Sequence, residues 1–557
     1  MKKLTYTFLC LVALMILLPL SSQGQTETPD DGSADRSDAL ARRLSVFNAL
    51  AKELDAGFVD TIDAEKIVNY AIDAMLYQLD PYTEHYPYRN QAELEELTAD
   101  GYAGIGAAIV KRGDSVSISR PYWDSPARRA GLRPGDIILA VDGWNAVGVA
   151  DVGDVSKRLR GAAGTVVKVD VKRPYGPDSL RVDVTRDQIV PVSLPYYGRI
   201  DGDIAYIKLN SFAETSGNDV RSAIRSLMAQ GPLKGIILDL RDNGGGIIDG
   251  AIQIAGTVLP RSTEVVRTRG RNANERIYKT TQSPVAADVP MVVLVSGRTA
   301  SASEIVAGAL QDLDRAVIIG ERTYGKGLVQ STRQLPFGDV LKLTVAKYYL
   351  PSGRLIQALD YANRNEDGSP KHTPDSLANT FTTSRGRTVR DGGGITPDIV
   401  VKEPESNILL YNIVSGFWDF DYATRYAAAH PDAPDTLVVD SIMFEDFKAG
   451  IDPEKFKYDR QSEAGIKYLR DAATALGYMN DSISAELDHL ADMLRHDLPH
   501  DLDLNRKQVC ELIDGELAYR YFDDATQVRR RLPSDSTVMK AVEVIRDPER
   551  YRSILNR

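Results

Sequence analysis

Apolar positions along this chain change their spacing several times, and each change predicts a different kind of element. Leu44, Phe47, Leu50 and Leu54 recur at intervals of three or four residues, and Ile67, Ala71, Ile72, Met75 and Leu79 do so again. That periodicity predicts two amphipathic helices. Asp80-Pro81-Tyr82 ends the second, because proline disfavours helical backbone in the residue before it. Stripes of this kind are packing surface, against the body of the protein or a second copy, so homo-oligomerisation through terminal helices is one expectation.

From about 101 to 188 the pattern shortens to strands and turns: Gly104-Ile105-Gly106-Ala107-Ala108-Ile109-Val110, then a helical turn from Ser125 to Ala130, a glycine stop at Gly131, and a strand reaching the turn Asp142-Gly143. This stretch resembles a PDZ domain. The resemblance implies that an extended chain end is bound by strand addition, with N–H groups of Gly104, Ile105 and Gly106 receiving the terminal carboxylate.

Between 189 and about 402 buried strands alternate with helices. Ile204 to Leu209, Gly235 to Leu240 and Met291 to Val295 read as strands; the second runs into Arg241-Asp242-Asn243-Gly244-Gly245-Gly246 and a helix, the third into a turn and a helix from Ser301 to Leu313. Two such units predict an α/β layer. Beyond about 403 the pattern is mainly helical, for example Ile466, Leu469, Ala473 and Leu476, then Leu487, Leu490, Met493 and Leu494.

Composition narrows the class. The chain is 43% hydrophobic with a formal net charge of -11, the balance of a soluble globular protein that repels nucleic-acid phosphates overall. Arg529 to Arg531 is a short cluster rather than a basic stripe interleaved with aromatics. Met1-Lys2-Lys3, the apolar run from Tyr6 to Leu20 and Ser21-Ser22-Gln23-Gly24 form a secretory signal pattern, which predicts export to the periplasm or cell envelope. An uncleaved anchor is the alternative. The polar stretch after it reads as a flexible tether. Cys10 lies in the signal and leaves Cys510 alone, so no intramolecular disulfide is expected.

The chemistry concentrates in Gly297-Arg298-Thr299-Ala300-Ser301-Ala302-Ser303-Glu304 and in Tyr324-Gly325-Lys326-Gly327. No histidine falls between His85 and His372. A serine hydroxyl needs a base to become a nucleophile, and with imidazole absent from this stretch the candidate is a desolvated lysine. Tyr324, Leu328 and Val329 are the residues expected to desolvate it. Competing readings exist for each residue. Ser301-x-x-Glu304 is also a capping box, which stabilises a helix start without chemistry, although the same helix end favours an oxyanion. Ser303 is the fallback nucleophile. Gly320 to Lys326 satisfies G-x-x-x-x-G-K, but Gly327 stands where a phosphate loop needs Ser or Thr. His496 and His500 invite a metal reading that Pro499 and the lack of further ligands disfavour. Neither metal nor nucleotide is expected.

Asp239-Leu240-Arg241-Asp242-Asn243-Gly244-Gly245, Thr299 to Ile305 and Gly325-Lys326-Gly327-Leu328-Val329-Gln330 together resemble the carboxy-terminal processing, or tail-specific, serine proteases. The resemblance implies Ser301 as nucleophile, Lys326 as general base and Gln330 as the residue that holds the base. It also implies an oxyanion hole from Ala302 and Gly245, with Asp312 as structural support. The implied fold is multidomain α/β: a crotonase-like protease core with an inserted PDZ-like β domain, N-terminal helices and a C-terminal helical extension. The expected organisation is a signal peptide at 1–24, a tether at 25–37, a helical region at 38–100, the PDZ domain at 101–188, the core at 189–402 and the extension at 403–557. The expected partners are proteins or peptides with accessible C-termini, with an adaptor protein as a further candidate. A non-catalytic PDZ adaptor and a Ser/Lys hydrolase of cell-wall peptides are the alternatives.

Overall fold

The computed structural model describes residues 32–88, 101–271, 274–374, 376–402, 407–434, 436–456, 461–494 and 497–556. The signal pattern at 1–24, the first part of the tether and His496 lie outside the described residues. Among them, no helix is long and apolar enough to cross a membrane.

The chain divides into two units, 1–78 and 79–557. In the first, α1 (Gly32–Gly57) and α2 (Ala64–Tyr77) follow the predicted periodicity. Helix α1 starts at Gly32, inside the stretch expected to be a tether, because Ala34, Asp35 and Arg36 carry no breaker and extend the helix backwards. Asp63 caps α2, its carboxylate accepting from Lys66 N–H at 3.1 Å.

The second unit begins with the short strand β1 (Glu84–Tyr86). Strand β2 (Tyr102–Gly104) then opens the small β domain, whose sheet consists of β3 (Ala107–Arg112), β4 (Ser115–Pro121), β5 (Ile137–Val141), β6 (Trp144–Asn145), β7 (Val166–Lys172) and β8 (Leu180–Thr185). Its order is β3-β4-β5-β7-β8, with β6 on β5. Alternate residues Val167, Val169 and Val171 of β7 point inward and meet Val116, Ile118 and Ile138, the period-two signature of a half-buried strand. Helices α3 (Pro126–Arg129) and α4 (Val152–Leu159) flank this sheet, and β9 (Asp187–Ile189) pairs back on β2.

The core sheet has the order β10 (Tyr196–Ile200), β11 (Ile204–Lys208), β12 (Gly235–Asp239), β15 (Met291–Val295), β16 (Val317–Gly320) and β23 (Ile399–Val400). Only the β10–β11 pairing is antiparallel. Every residue of β12 and β15 is buried, so both faces need a cover. Helices α5 (Ser216–Ala229), α6 (Ile248–Ala255) and α7 (Ala302–Asp312) provide one, with Ile305, Val306 and Leu310 in the same core as Ile236 and Val293.

The second cover comes from the far end of the chain. Of the helices in the extension, α8 (Ile408–Ser415), α9 (Trp418–Ala429), α10 (Ser441–Gly450), α11 (Gln461–Ala475), α12 (Asp481–Met493), α13 (Leu498–Leu504), α14 (Arg506–Tyr521) and α15 (Asp524–Arg531) precede the two that matter here, α16 (Ser536–Arg546) and α17 (Pro548–Ile554). Val538, Ala541, Val542, Ile545 and Tyr551 lie on Ile204, Tyr206, Ile237, Val292 and Ile319. A Cβ on Gly235 would stand 2.5 Å from Ile545 Cγ2, so the absence of a side chain lets this layer close. The layer that closes this face of the core sheet thus comes from the C-terminal extension, about 140 residues beyond β23, a pairing that periodicity does not reveal.

A second sheet is built on β18 (Val340–Tyr349), which pairs with β1, with β13 (Glu264–Arg269) and along its length with β17 (Leu328–Gln334); β14 (Arg276–Lys279) continues it beyond β13. Two hairpins follow, β19 (Leu359–Arg364) with β20 (Pro370–His372) and β21 (Thr380–Thr382) with β22 (Thr388–Arg390). The extension also has a core of its own around Ile413, Phe444, Phe447, Val509, Ile513 and Leu517. It grips the β domain: Arg112 makes a two-pronged contact with Asp421 at 2.7 and 2.7 Å, and Arg120 stacks 3.6 Å from the Tyr519 ring centre.

Candidate active site

Three segments converge at the end of the core sheet: the turn after β12, the turn between β15 and α7, and the turn that precedes β17. Asp239, the last residue of β12, anchors the first. It is buried between Lys208 Nζ at 3.4 Å, Arg241 at 2.6 Å and the Tyr206 hydroxyl, which donates at 2.7 Å. Burial alone would raise its carboxyl, but the two cations outweigh it and lower the pKa to about 2. Arg241 also reaches Asp535 at 2.7 Å, tying this turn to the extension.

Asn243 joins the first two turns. Its carbonyl accepts from Ala300 N–H and from the Ser303 hydroxyl, each at 3.0 Å, and its amide donates to Leu209 O at 2.9 Å. Ser303, the fallback nucleophile, is thus a buried structural donor. Gly245 adopts φ +101°, and a Cβ there would stand 2.8 Å from Ala300 O, 2.8 Å from Ser301 Cβ and 2.9 Å from Ala302 N. Only glycine combines that backbone with that approach. Its N–H donates to Asn243 Oδ1 at 2.8 Å, so in this arrangement Gly245 supplies space beside Ser301 rather than a donor. Ala302 N–H, in the first turn of α7, has no acceptor within its own helix.

Ser301 is buried and holds a strained backbone, φ 57° and ψ −118°. The expected capping box forms, with the Glu304 carboxylate accepting Ser301 N–H at 2.9 Å. That carboxylate does more. Fully buried, it also accepts from Lys326 N–H at 2.8 Å, Gly325 N–H at 2.7 Å and the Thr323 hydroxyl at 2.5 Å. Burial pushes its pKa up against these four donors. One side chain therefore fixes the Ser301 backbone relative to the Lys326 backbone, 25 residues apart.

The two candidate catalytic groups are not joined directly. Ser301 Oγ lies 3.2 Å from Tyr348 Oη, and no hydrogen bond links it to Lys326 Nζ. The half-buried amine instead sits 4.2 Å from the centre of the Tyr82 ring. Desolvation lowers its pKa, with repulsion from Lys342 adding to the effect and Glu84, Glu304 and Asp80 opposing it. Tyr82 packs edge-on to Tyr361, ring centres 6.0 Å apart. It is positioned by Asp80, whose carboxylate accepts from Tyr82 N–H and Thr83 N–H at 2.8 Å each, and by pairing of β1 with β18. Gln330, on β17, donates to Thr344 Oγ1 at 3.3 Å and not to Lys326.

Other candidates lie elsewhere. Asp312 ends α7 in a buried ion pair with Arg354 at 2.8 Å. His85 is held by Asp339 at 2.8 Å, and His372 is exposed on β20. His500 sits in α13, and among the described residues no group of three metal-ligating side chains occurs. In the β domain, Ile105 is buried and its carbonyl accepts Ala127 N–H at 2.8 Å. Gly106 adopts φ +70° against Ser125, whose Cβ would be 2.6 Å from an added Cβ. Directly after this Gly104–Gly106 loop runs β3, the edge strand of its sheet, with α4 packed beside it.

Tyr82 and Tyr348 are the site residues that the sequence reading did not single out. The first carried a signal, the Asp80-Pro81-Tyr82 helix stop. The second carried none, since its approach to Ser301 depends on strand pairing across the second sheet.

Comparison with known proteins agrees with this architecture. Residues 203–362 match the model of peptidase family S41, residues 117–173 that of a PDZ domain, and residues 409–545 that of a probable PDZ-protease C-terminal helical domain. The carboxy-terminal-processing protease of Bartonella bacilliformis is 33% identical over 368 residues, 65% of this chain and 76% of the relative. The carboxy-terminal processing protease CtpA of Bacillus subtilis is 32% identical over 358 residues, 64% and 75% of the two chains. A solved photosystem II D1 C-terminal processing protease aligns with 26% identity and a TM-score of 0.37, covering 64% of this chain and 92% of that one. With its α/β core, PDZ domain and helical extension, the chain belongs to the carboxy-terminal processing proteases of peptidase family S41, a family of serine-type endopeptidases.

Proposed function

We propose that this protein is an exported endopeptidase that recognises substrate C-termini through its PDZ domain and cleaves by a Ser/Lys acyl-enzyme mechanism. The observation that carries the mechanism is the Glu304 carboxylate, which binds the backbone N–H groups of both Ser301 and Lys326 in one buried node.

In this reading Lys326 accepts the Ser301 proton as Oγ attacks the scissile carbonyl, then protonates the leaving amine, and water releases the acyl group by the reverse sequence. The amine swings from the Tyr82 ring toward Ser301 first, since catalytic contacts in unliganded enzymes often tighten only on substrate binding. Gln330 holds the amine after that swing, leaving Thr344. Ala302 N–H stabilises the oxyanion, and Gly245 joins it when its N–H leaves Asn243 Oδ1.

For recognition, edge strand β3 offers unpaired backbone groups to an extended peptide, and the Gly104–Gly106 loop lies where its terminal carboxylate would end. Protein or peptide substrates with accessible C-termini follow from that geometry. Export follows from the residue pattern at Met1 to Gly24.

Turnover of an unstructured protein by Ser301→Ala and Lys326→Ala variants tests the assignment. Both are expected to be inactive yet folded; for Ser301→Ala, losing a helix-start side chain costs about 1 kcal/mol. Wild-type turnover by either would refute the role given to that residue.

A further inference from the structure

Among the described residues, the side chain hydrogen-bonded to the hydroxyl assigned as nucleophile is a phenol. Tyr348 Oη stands 3.2 Å from Ser301 Oγ, and the tyrosine side chain is buried in the core that also contains Ile305 and Val306. Its backbone N–H donates to Gly327 O at 2.9 Å, which fixes it to the turn that carries Lys326. It also pairs with Thr268 of β13. The phenol thus approaches Ser301 from a rigid strand and not from a loop.

Direction of donation follows from acidity. A phenol, with an ordinary pKa near 10, is a far stronger acid than a serine alcohol, so between the two the phenol donates and the alcohol accepts. Burial raises the Tyr348 pKa further and keeps it protonated. A donor at Oγ leaves the serine proton free for a base approaching from another side, and it restrains Oγ in one orientation. It also remains within reach as negative charge gathers around Oγ while its proton is removed.

We propose that Tyr348 is a further catalytic residue, a neutral phenol that donates to Ser301 Oγ, orients it for attack and leaves its proton to Lys326. The tyrosine keeps its own proton throughout the cycle. This rests on Ser301 being the nucleophile. With Gly245 N–H engaged by Asn243, Tyr348 is the side-chain donor already at the reacting atom before substrate arrives.

The test compares full-length wild type, Tyr348→Phe and Ser301→Ala. It uses steady-state cleavage of a fluorogenic peptide with a free apolar C-terminus, the rate of labelling by a fluorophosphonate, and the thermal midpoint. Phenylalanine keeps the ring and its packing. Expected for Tyr348→Phe are a kcat lower by about tenfold to a hundredfold at unchanged KM, a matching fall in labelling rate and an unchanged midpoint. A kcat and labelling rate within about twofold of wild type would overturn the proposal, as would a loss carried by KM or by a lower midpoint, which marks a packing role. Activity or labelling retained by Ser301→Ala would instead overturn the underlying assignment of the nucleophile, so the two failures are distinct.

Discussion

Glu304 accepts four hydrogen bonds with two oxygens, and Glu304→Gln replaces one oxygen by an NH2 group that faces donors. At least one buried N–H is then left without an acceptor, at a cost of about 3 kcal/mol or more. The expected outcome is a lower unfolding midpoint together with loss of peptide cleavage; an active variant of normal stability would show that the node does not hold the site together. Gly245→Ala places a methyl 2.8 Å from Ala300 O and Ser301 Cβ at φ +101°. A displacement of Ser301 by up to about 1 Å should lower kcat by as much as about a hundredfold, measured on the same peptide, with the fold retained by circular dichroism. At this scale Ser301, Lys326 and the glycine turn were legible, because each lies in a short local motif whose residue types carry chemistry. The capping-box signature at Ser301-x-x-Glu304 was legible too, but only half of its meaning, since Thr323, Gly325 and Lys326 reach Glu304 through tertiary packing. Tyr82 and Tyr348 were hidden for the same reason: one arrives by β1 pairing with β18, the other by β18 lying against Gly327.

The turn before β17 and the segment around Tyr82 together define the environment of Lys326, the proposed base. The desolvation that lowers the Lys326 pKa has two consequences with worked signs. The neutral, proton-accepting fraction grows as pH rises through the lowered folded value, so cleavage should increase with pH along one ionisation and be insensitive to chelators. Between that folded value and the ordinary lysine value near 10.4 the unfolded chain binds more protons, so the contribution of this group to stability also rises with pH across that window. Tyr82→Ala opens the pocket to water and should move the ionisation in the activity profile upward; a profile that does not move would remove Tyr82 from the account. The β3 edge makes a separate prediction. Peptides ending in a free apolar residue should be cleaved faster than the same peptides amidated, and equal rates would deny the Gly104–Gly106 loop its carboxylate. Helix and strand positions were readable because the three-to-four-residue spacing in α1 and α2 and the short apolar runs in β12 and β15 are strong local signals. Sheet order was not, because nothing local in β18 tells that it will meet β1, β13 and β17.

The whole molecule depends on residues far from the chemistry. Helices α16 and α17 close the second face of the core sheet, with Tyr551 Oη donating to Met291 O at 3.1 Å and Arg241 bridging Asp239 to Asp535. Removing residues 532–557 would expose Ile204, Ile237, Val292 and Ile319, about 1.5–3 kcal/mol for each large apolar side chain returned to water. The truncated chain should fail to fold, read as loss of a cooperative thermal transition; a folded, active truncation would mean that the extension is an accessory and not a layer. Asp239 adds an acid limit: its stabilisation is present above the ordinary aspartate range and is lost as pH falls toward its folded value of about 2. The central claim, that Ser301 forms the acyl-enzyme with Lys326 as base, is tested most directly by acid quenching during turnover of an activated ester and peptide mapping by mass spectrometry. The account predicts an acyl adduct on the peptide containing Ser301, absent in Ser301→Ala and strongly diminished in Lys326→Ala. An adduct on another residue, or undiminished acylation of Ser301 in the Lys326→Ala protein, would contradict it.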